Sequence, residues 1–326
     1  GGTYSLEFEI LSMQSVEGFS VGYGIEGKNS NGDSVNYTKS IIGNVYGGNN
    51  QGGTTTTTNV TINGGNVQDV YGGGNQAICN ETKVNINGEV QKRVFGGGNQ
   101  AGINTNTNVN VTDGSVADNV YGGGNEGTVT GNTYVRVKNS TLNNSLYAGG
   151  NGVSAIVYGN TNLIMEGKNN VTNNVFGGGK GNDSTAALVT GNINISVDGS
   201  NLPKCNAFGG SDVNGEVNGT IYVKIGENNV STINSVYGGG NQAAIGTETK
   251  EVKVYLLSNA VVTNAFNGGK SADLLSSSES DETRQIYLQG GTTQNIYGGS
   301  DSSGTVTVSH LYIESGNAGN VYGGNN

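Results

Sequence analysis

Tryptophan is absent from the 326 residues, proline and histidine occur once each (Pro203, His310), and cysteine twice (Cys79, Cys205). Each scarcity excludes something. A lone histidine cannot build a His-rich metal site, and it gives a Ser-His-Asp triad no supporting context; His310 reads as a surface residue beside a strand. The cysteines stand about five sequence repeats apart. At a stacking distance of ~4.8 Å that is roughly 24 Å, beyond disulfide reach, so both read as free thiols. Only 15 Lys and Arg are present against 25 Asp and Glu, a net charge of −10. They are scattered without a basic stripe, which argues against nucleic acid as a partner. No apolar run approaches the roughly 20 residues of a membrane-spanning helix. Hydrophobic residues make up only 33% of the chain, too few for a compact sphere to build a core.

What the chain has in abundance is glycine, 59 residues, and much of it falls in one repeated phrase, Tyr-Gly-Gly-Gly-Asn. The phrase is complete at Tyr71–Asn75, Tyr121–Asn125 and Tyr237–Asn241. With variants included, its aromatic residue recurs at Tyr46, Tyr71, Phe95, Tyr121, Tyr147, Phe176, Phe208, Tyr237, Phe266, Tyr297 and Tyr322, at spacings of 24–32 residues. Self-similarity at such a period marks a solenoid, propeller or array. A solenoid needs no central mass, because each coil buries its inner face on the next.

Each repeat carries two recognisable strands. One ends in the ring, preceded by an aliphatic residue such as Val70, Val94 or Val120. The other carries an aliphatic–x–aliphatic pair, as in Val84/Ile86, Val109/Val111, Val135/Val137 and Leu163/Met165, the period-2 pattern of a strand with one buried face. Gly and Asp-Gly turns lie between pair and next ring, and a third short strand is expected in the return leg from ring to pair, as in Thr54–Thr58. A propeller blade would need four strands. The reading is therefore an all-β, right-handed parallel β-helix of about 11 coils over residues 41–326, its hand expected from the rule for parallel crossovers. Residues 1–40 fall outside the repeat. Tyr4, Leu6, Phe8 and Ile10 alternate with polar residues, Val21, Tyr23 and Ile25 form a second candidate strand, and the segment is expected to be an N-terminal cap. The longest excursions are Lys180–Gly191 and the Ser-rich, acidic Lys270–Gln285, with Glu279, Asp281 and Glu282.

In a stack, a repeated letter becomes a column. The second residue after the ring is Gly in all eleven copies, from Gly48 to Gly324, which points to a left-handed backbone or to close approach of neighbouring coils. Four residues after the ring stand Asn50, Asn75, Asn99, Asn125, Asn151, Asn241 and Asn326, a candidate amide ladder, interrupted by Lys180, Asp212, Lys270 and Asp301. The rings have two readings: a stacked core ladder, or an exposed aromatic strip beside a glycine floor, suited to stacking on sugars.

Candidate chemistry is sparse. Phe176–Ser184 resembles a phosphate loop but lacks its Gly-Lys-Ser/Thr ending and a following helix. A polysaccharide lyase or hydrolase would draw on Asp69 and Arg93, two residues before their rings, with Lys92 and Asp118 one position earlier; the simpler reading is a surface charge ladder. No cofactor is expected. Calcium is compatible with the acidic balance and Asp-Gly turns, yet no Asp-x-Asp-x-Asp run occurs.

The Gly/Asn/Thr-rich coils, as in Thr54–Asn75, resemble the β-solenoid repeats of large bacterial surface proteins and adhesin passengers, over about residues 41–326. That resemblance implies an extracellular, non-enzymatic rod engaged in adhesion or display, with glycans or a host or cell surface as partner. It carries over no functional residue. The sequence stops in mid-motif at Val321–Asn326, and an open coil end is a template for strand addition, so the expectation is either a piece of a longer protein or end-to-end self-association of copies into a filament.

Overall fold

The structure, a computed structural model, describes residues 42–152, 154–278 and 282–326, together with the short strands Tyr4–Leu6, Glu26–Lys28 and Ser34–Asn36. Aliphatic pairs fall into register from coil to coil: Val60 faces Val84, which faces Val109, then Val135, Leu163, Ile195, Val223, Val254, Ile286 and Leu311, always in parallel. The rings do the same from Tyr46 to Tyr322. The result is an all-β parallel β-solenoid of about ten turns, with no helix among the described residues. Ten steps of ~4.8 Å make a rod about 48 Å long over the repeats.

Five inward aliphatic columns fill the core. Two are the expected pair positions, and a third is the residue before the ring, buried from Val45 to Ile296. The fourth was expected in the return leg. It is a line of single parallel bridges, Cys79 to Ile103, Val129, Val157, Val189 and Val217, resumed at Ile245, Leu274 and Val306. Thr55–Thr58, by contrast, belongs to the start of a pair strand, Thr55–Ile62. A further short strand lies where only a turn was anticipated: Glu89–Val90, Ser115–Val116 and Thr141–Leu142 pair in succession and bury Val90, Val116 and Leu142. Two residues with a single aliphatic give no periodicity to read.

In eight coils the turn after the pair strand holds a left-handed residue, at Gly65, Asp113, Asn139, Gly167, Gly199, Gly226, Gly290 and Gly316, the residue types that tolerate positive φ. The invariant glycine after the ring has the other cause. Gly97 is not left-handed, and a Cβ there would lie 2.7 Å from the backbone nitrogen of Gly124 in the next coil. Close approach fixes that column.

Beneath the core aliphatics runs a buried threonine column. The hydroxyls of Thr58, Thr82, Thr107, Thr133 and Thr161 each donate to the carbonyl of the residue after a ring, at 2.6–2.7 Å. Later coils put Ile193, Ile221, Val252 and finally Arg284 in this column. Arg284 is 1% exposed, and its guanidinium donates to the carbonyls of Thr249 and Leu275 and to the Thr283 hydroxyl.

Of the expected cap, Tyr4–Leu6 pairs in parallel with Thr58–Val60, and Glu26–Lys28 forms an antiparallel pair with Ser34–Asn36. Phe8, Ile10, Val21, Tyr23 and Ile25, and Glu279 and Asp281 of the acidic loop, lie outside the described residues.

Candidate functional site on the outer sheet face

The repeated rings form one continuous stack, with successive centroids 4.5–4.9 Å apart and planes within 12°. They make a hydrophobic cluster separate from the main core, because the preceding aliphatic takes the opposite side of the strand. Tyr71 to Tyr297 are nonetheless buried. The strip is a structural ladder, closed to a sugar ring over these coils. Two hydroxyls reach carboxylates two turns further along, Tyr147 to Asp212 at 2.7 Å and Tyr237 to Asp301 at 2.9 Å. Burial, reinforced by Asp69, pushes the Tyr71 phenol up to about 12 against the opposing pull of Arg93. Burial also drives up Tyr121 (with Asp118), Tyr147 (with Asp212) and Tyr237 (with Asp301).

The asparagine column is a true ladder. Asn75, Asn99, Asn125 and Asn151 each donate from Nδ2 to Oδ1 of the asparagine one coil back, at 2.8 Å. It stops at Lys180 and Lys270 and restarts on carboxylates: Asn241 donates to Asp212 and Asn326 to Asp301.

A second ladder stands two residues before the rings, where Asn206 donates to Asn174, Asn295 to Asn264 and Asn320 to Asn295. Asp69 and Arg93 occupy this column. Nε and the guanidinium Nη2 of Arg93 donate to the two Asp69 oxygens, both at 3.0 Å, and the Arg93 backbone N–H adds a third bond. The hydrogen bond to Asp69 raises the Arg93 pKa. Asp118 is not brought into this pair; it accepts from Asn144 at 2.7 Å, one coil further on. Lys92 is held by its backbone N–H on the Gln68 carbonyl. The four residues thus divide between two columns.

Both cysteines are buried and free, and burial raises both thiols, Cys205 to about 12. His310 is half-buried, its ring stacked 6.4 Å from that of Tyr312. At the Asp198-Gly199 turn the carboxylate accepts from backbone and side-chain nitrogens of Asn228 and Asn229. Burial acts to raise its pKa, but these bonds outweigh it and the net shift is downward. Among the described residues, no three His, Cys, Asp or Glu side chains converge as metal ligands.

What the sequence reading passed over is the outward side of the pair strands. The middle residue of each pair points away from the core. Along the rod this column reads Asn110, Arg136, Ile164, Ser196, Lys224, Tyr255, Tyr287 and Tyr312. Two residues earlier stand Tyr134, Asn162, Asn194, Tyr222 and Lys253. Tyr255, Tyr287 and Tyr312 form a second stack at 4.8–4.9 Å. Where it ends, a groove of about 600 Å³ opens, lined by Asn162, Ile164, Asn194, Ser196, Tyr222, Lys224, Glu227, Tyr255, Leu257 and Gln289. Its signal was present: three consecutive pairs carry tyrosine as their middle residue. Against known proteins, no family model, no curated sequence and no solved structure matches this chain, so the groove and the ladders are read from their own geometry.

Proposed function

We propose that the chain is an extracellular rod of a bacterial surface protein, non-enzymatic, acting as a stiff spacer with an adhesive outer sheet face. The observation that carries this reading is the consumption of polar side chains by one another along the axis. Amide ladders, the Asp69–Arg93 pair and tyrosine–aspartate bonds link consecutive or next-but-one coils. Such columns favour a fixed register over a movable site. A lyase or hydrolase needs a carboxylate or a base free to meet substrate. Both Asp69 oxygens already receive Arg93. Scarce lysine and a parallel backbone paired coil to coil suit a protease-rich exterior.

Antibody labelling of intact cells of the source organism tests location. Label that appears without permeabilisation, and is lost on brief protease shaving of an anchored form, is the expected result; label seen only in permeabilised cells overturns it. Incubation with acidic polysaccharides tests the enzymatic alternative: unsaturated products that vanish in Asp69→Ala would replace the rod reading by a lyase.

A further inference from the structure

We infer that the groove between Tyr222, Tyr255 and Ile164 is a binding site for a neutral glycan, one that takes linked pyranose rings against the free faces of the two tyrosines. The inference deepens the adhesive reading and rests on it in one respect, that the glycan is held and not cut.

Three features of the groove converge. First, each tyrosine offers one face. The upper face of Tyr255 is covered by Tyr287 at 4.9 Å, and the Lys253 ammonium lies 6.0 Å from the Tyr222 centroid, in the coil above. The groove lies on the other side of both rings, where Asn194 stands beneath Tyr222, and the exposed Lys224 beneath Tyr255 is followed one coil further by Ser196. Aromatic faces with exposed apolar area recruit the C–H faces of sugars while hydroxyls stay at the rim.

Second, the floor has unspent hydrogen-bonding groups. Asn194 donates to Asn162 Oδ1 at 3.0 Å, continuing the local amide ladder one step. Its own Oδ1 would serve the next coil, but Tyr222 stands there. Among the described residues, neither Asn194 Oδ1 nor the Ser196 hydroxyl has a hydrogen-bond partner. A ligand hydroxyl can donate to the first and exchange bonds with the second.

Third, the far wall is Ile164, an aliphatic side chain 41% exposed on a sheet face, and the volume of about 600 Å³ falls within the range of small-ligand sites, roughly 300–1,000 Å³. Tyr222 and Tyr255 sit one coil and one outward position apart. That is a diagonal of about 8 Å, which linked sugar rings can bridge. Only Lys224 and Glu227 bring charge to the lining, of opposite sign, and that balance favours a neutral chain over a polyanion.

The test is titration calorimetry of the whole chain with hexaoses of β-1,4-linked glucose, galactose and N-acetylglucosamine. At least one is expected to bind. Tyr222→Ala and Tyr255→Ala are each expected to weaken it about tenfold or more, equivalent to roughly 1.4 kcal/mol. Tyr158→Ala, an exposed tyrosine on the return leg, should leave affinity unchanged. Unaltered thermal melts of the variants exclude misfolding, and Asn194→Leu, which removes the floor acceptor at similar size, provides a second reading. No binding to any hexaose, or binding indifferent to all three groove variants, overturns the site and leaves the rod reading standing. Binding accompanied by release of reducing ends keeps the site and overturns the non-enzymatic reading.

Discussion

The Tyr147 hydroxyl donates to Oδ2 of Asp212, a residue of the coil two turns further along, while Asn241 of the following coil donates to Oδ1 of the same carboxylate. A charge in the asparagine column therefore has a structural cause: the two donors sit on different Asp212 oxygens, and an asparagine at 212 would turn an NH2, which cannot accept, toward one of them. Asp301 repeats the arrangement with Tyr237 and Asn326.

Stability should therefore fall in alkali. In the folded chain Tyr71 is pushed up to about 12 and Tyr121, Tyr147 and Tyr237 upward as well, from an ordinary 10.0, with burial the leading cause in each. In the unfolded chain these phenols ionise near 10. Below that value both states hold the protons and stability is flat in pH. Above it only the folded state holds them, so stability falls by about 1.4 kcal/mol per pH unit for each such phenol. Denaturant unfolding at stepped pH either side of 10 checks this, and Tyr147→Phe should reduce the slope by about one proton. A flat profile through 11 would contradict the burial of these hydroxyls.

Asp69 and Arg93 stand where neighbouring coils carry Asn44 and Asn119. Arg93→Ala leaves a 6% exposed carboxylate without its bidentate partner, and should cost about 2 kcal/mol, below the figure for a fully buried pair because Arg93 is partly open to water. The double variant Asp69→Asn/Arg93→Asn restores the amide column and should recover most of that loss. Calorimetric melting of the two singles and the double gives the coupling energy. A double variant as unstable as the sum of the singles would show that the charges do more than occupy a ladder position.

The solenoid, its two main strands and its asparagine ladder were legible because a repeated letter in a stacked coil must face itself. Val84 and Val109 lie opposite one another for that reason alone. The orientation of the rings was not legible. Val70 and Tyr71 alternate in side, and alternation normally separates a buried residue from an exposed one. Here both are buried, the ring within its own stacked column. The short strand around Val116 stayed hidden because two residues carry no period, and the groove because it is a place where a column runs out of rings. Repetition reveals columns more readily than gaps in them.

Close approach of coils makes Gly97→Ala a sharp test of the glycine column. An added Cβ would sit 2.7 and 2.8 Å from backbone atoms of Gly124, with no flexible side chain to yield. Overpacking of this kind should cost about 3 kcal/mol or abolish folding. Gly52→Ala, where nothing lies within 4 Å, should be neutral. Equal melting temperatures for the two variants would refute the crowding argument.

The buried threonines give the finest test of how the core is held. Thr107 donates at 2.6 Å to the Gly122 carbonyl, and Thr107→Val keeps the shape while leaving that carbonyl short of a donor, a loss of about 1–2 kcal/mol. Ile193 fills the same column two coils beyond Thr133. Ile193→Thr should then lose less than a usual buried isoleucine-to-threonine change, because its hydroxyl lands at the position from which Thr161 reaches the Gly177 carbonyl one coil earlier. Denaturant midpoints of the pair decide it. If Ile193→Thr costs more than Thr107→Val by several kcal/mol, the column is set by packing alone, and the hydroxyl–carbonyl bonds of the early coils are incidental to stability.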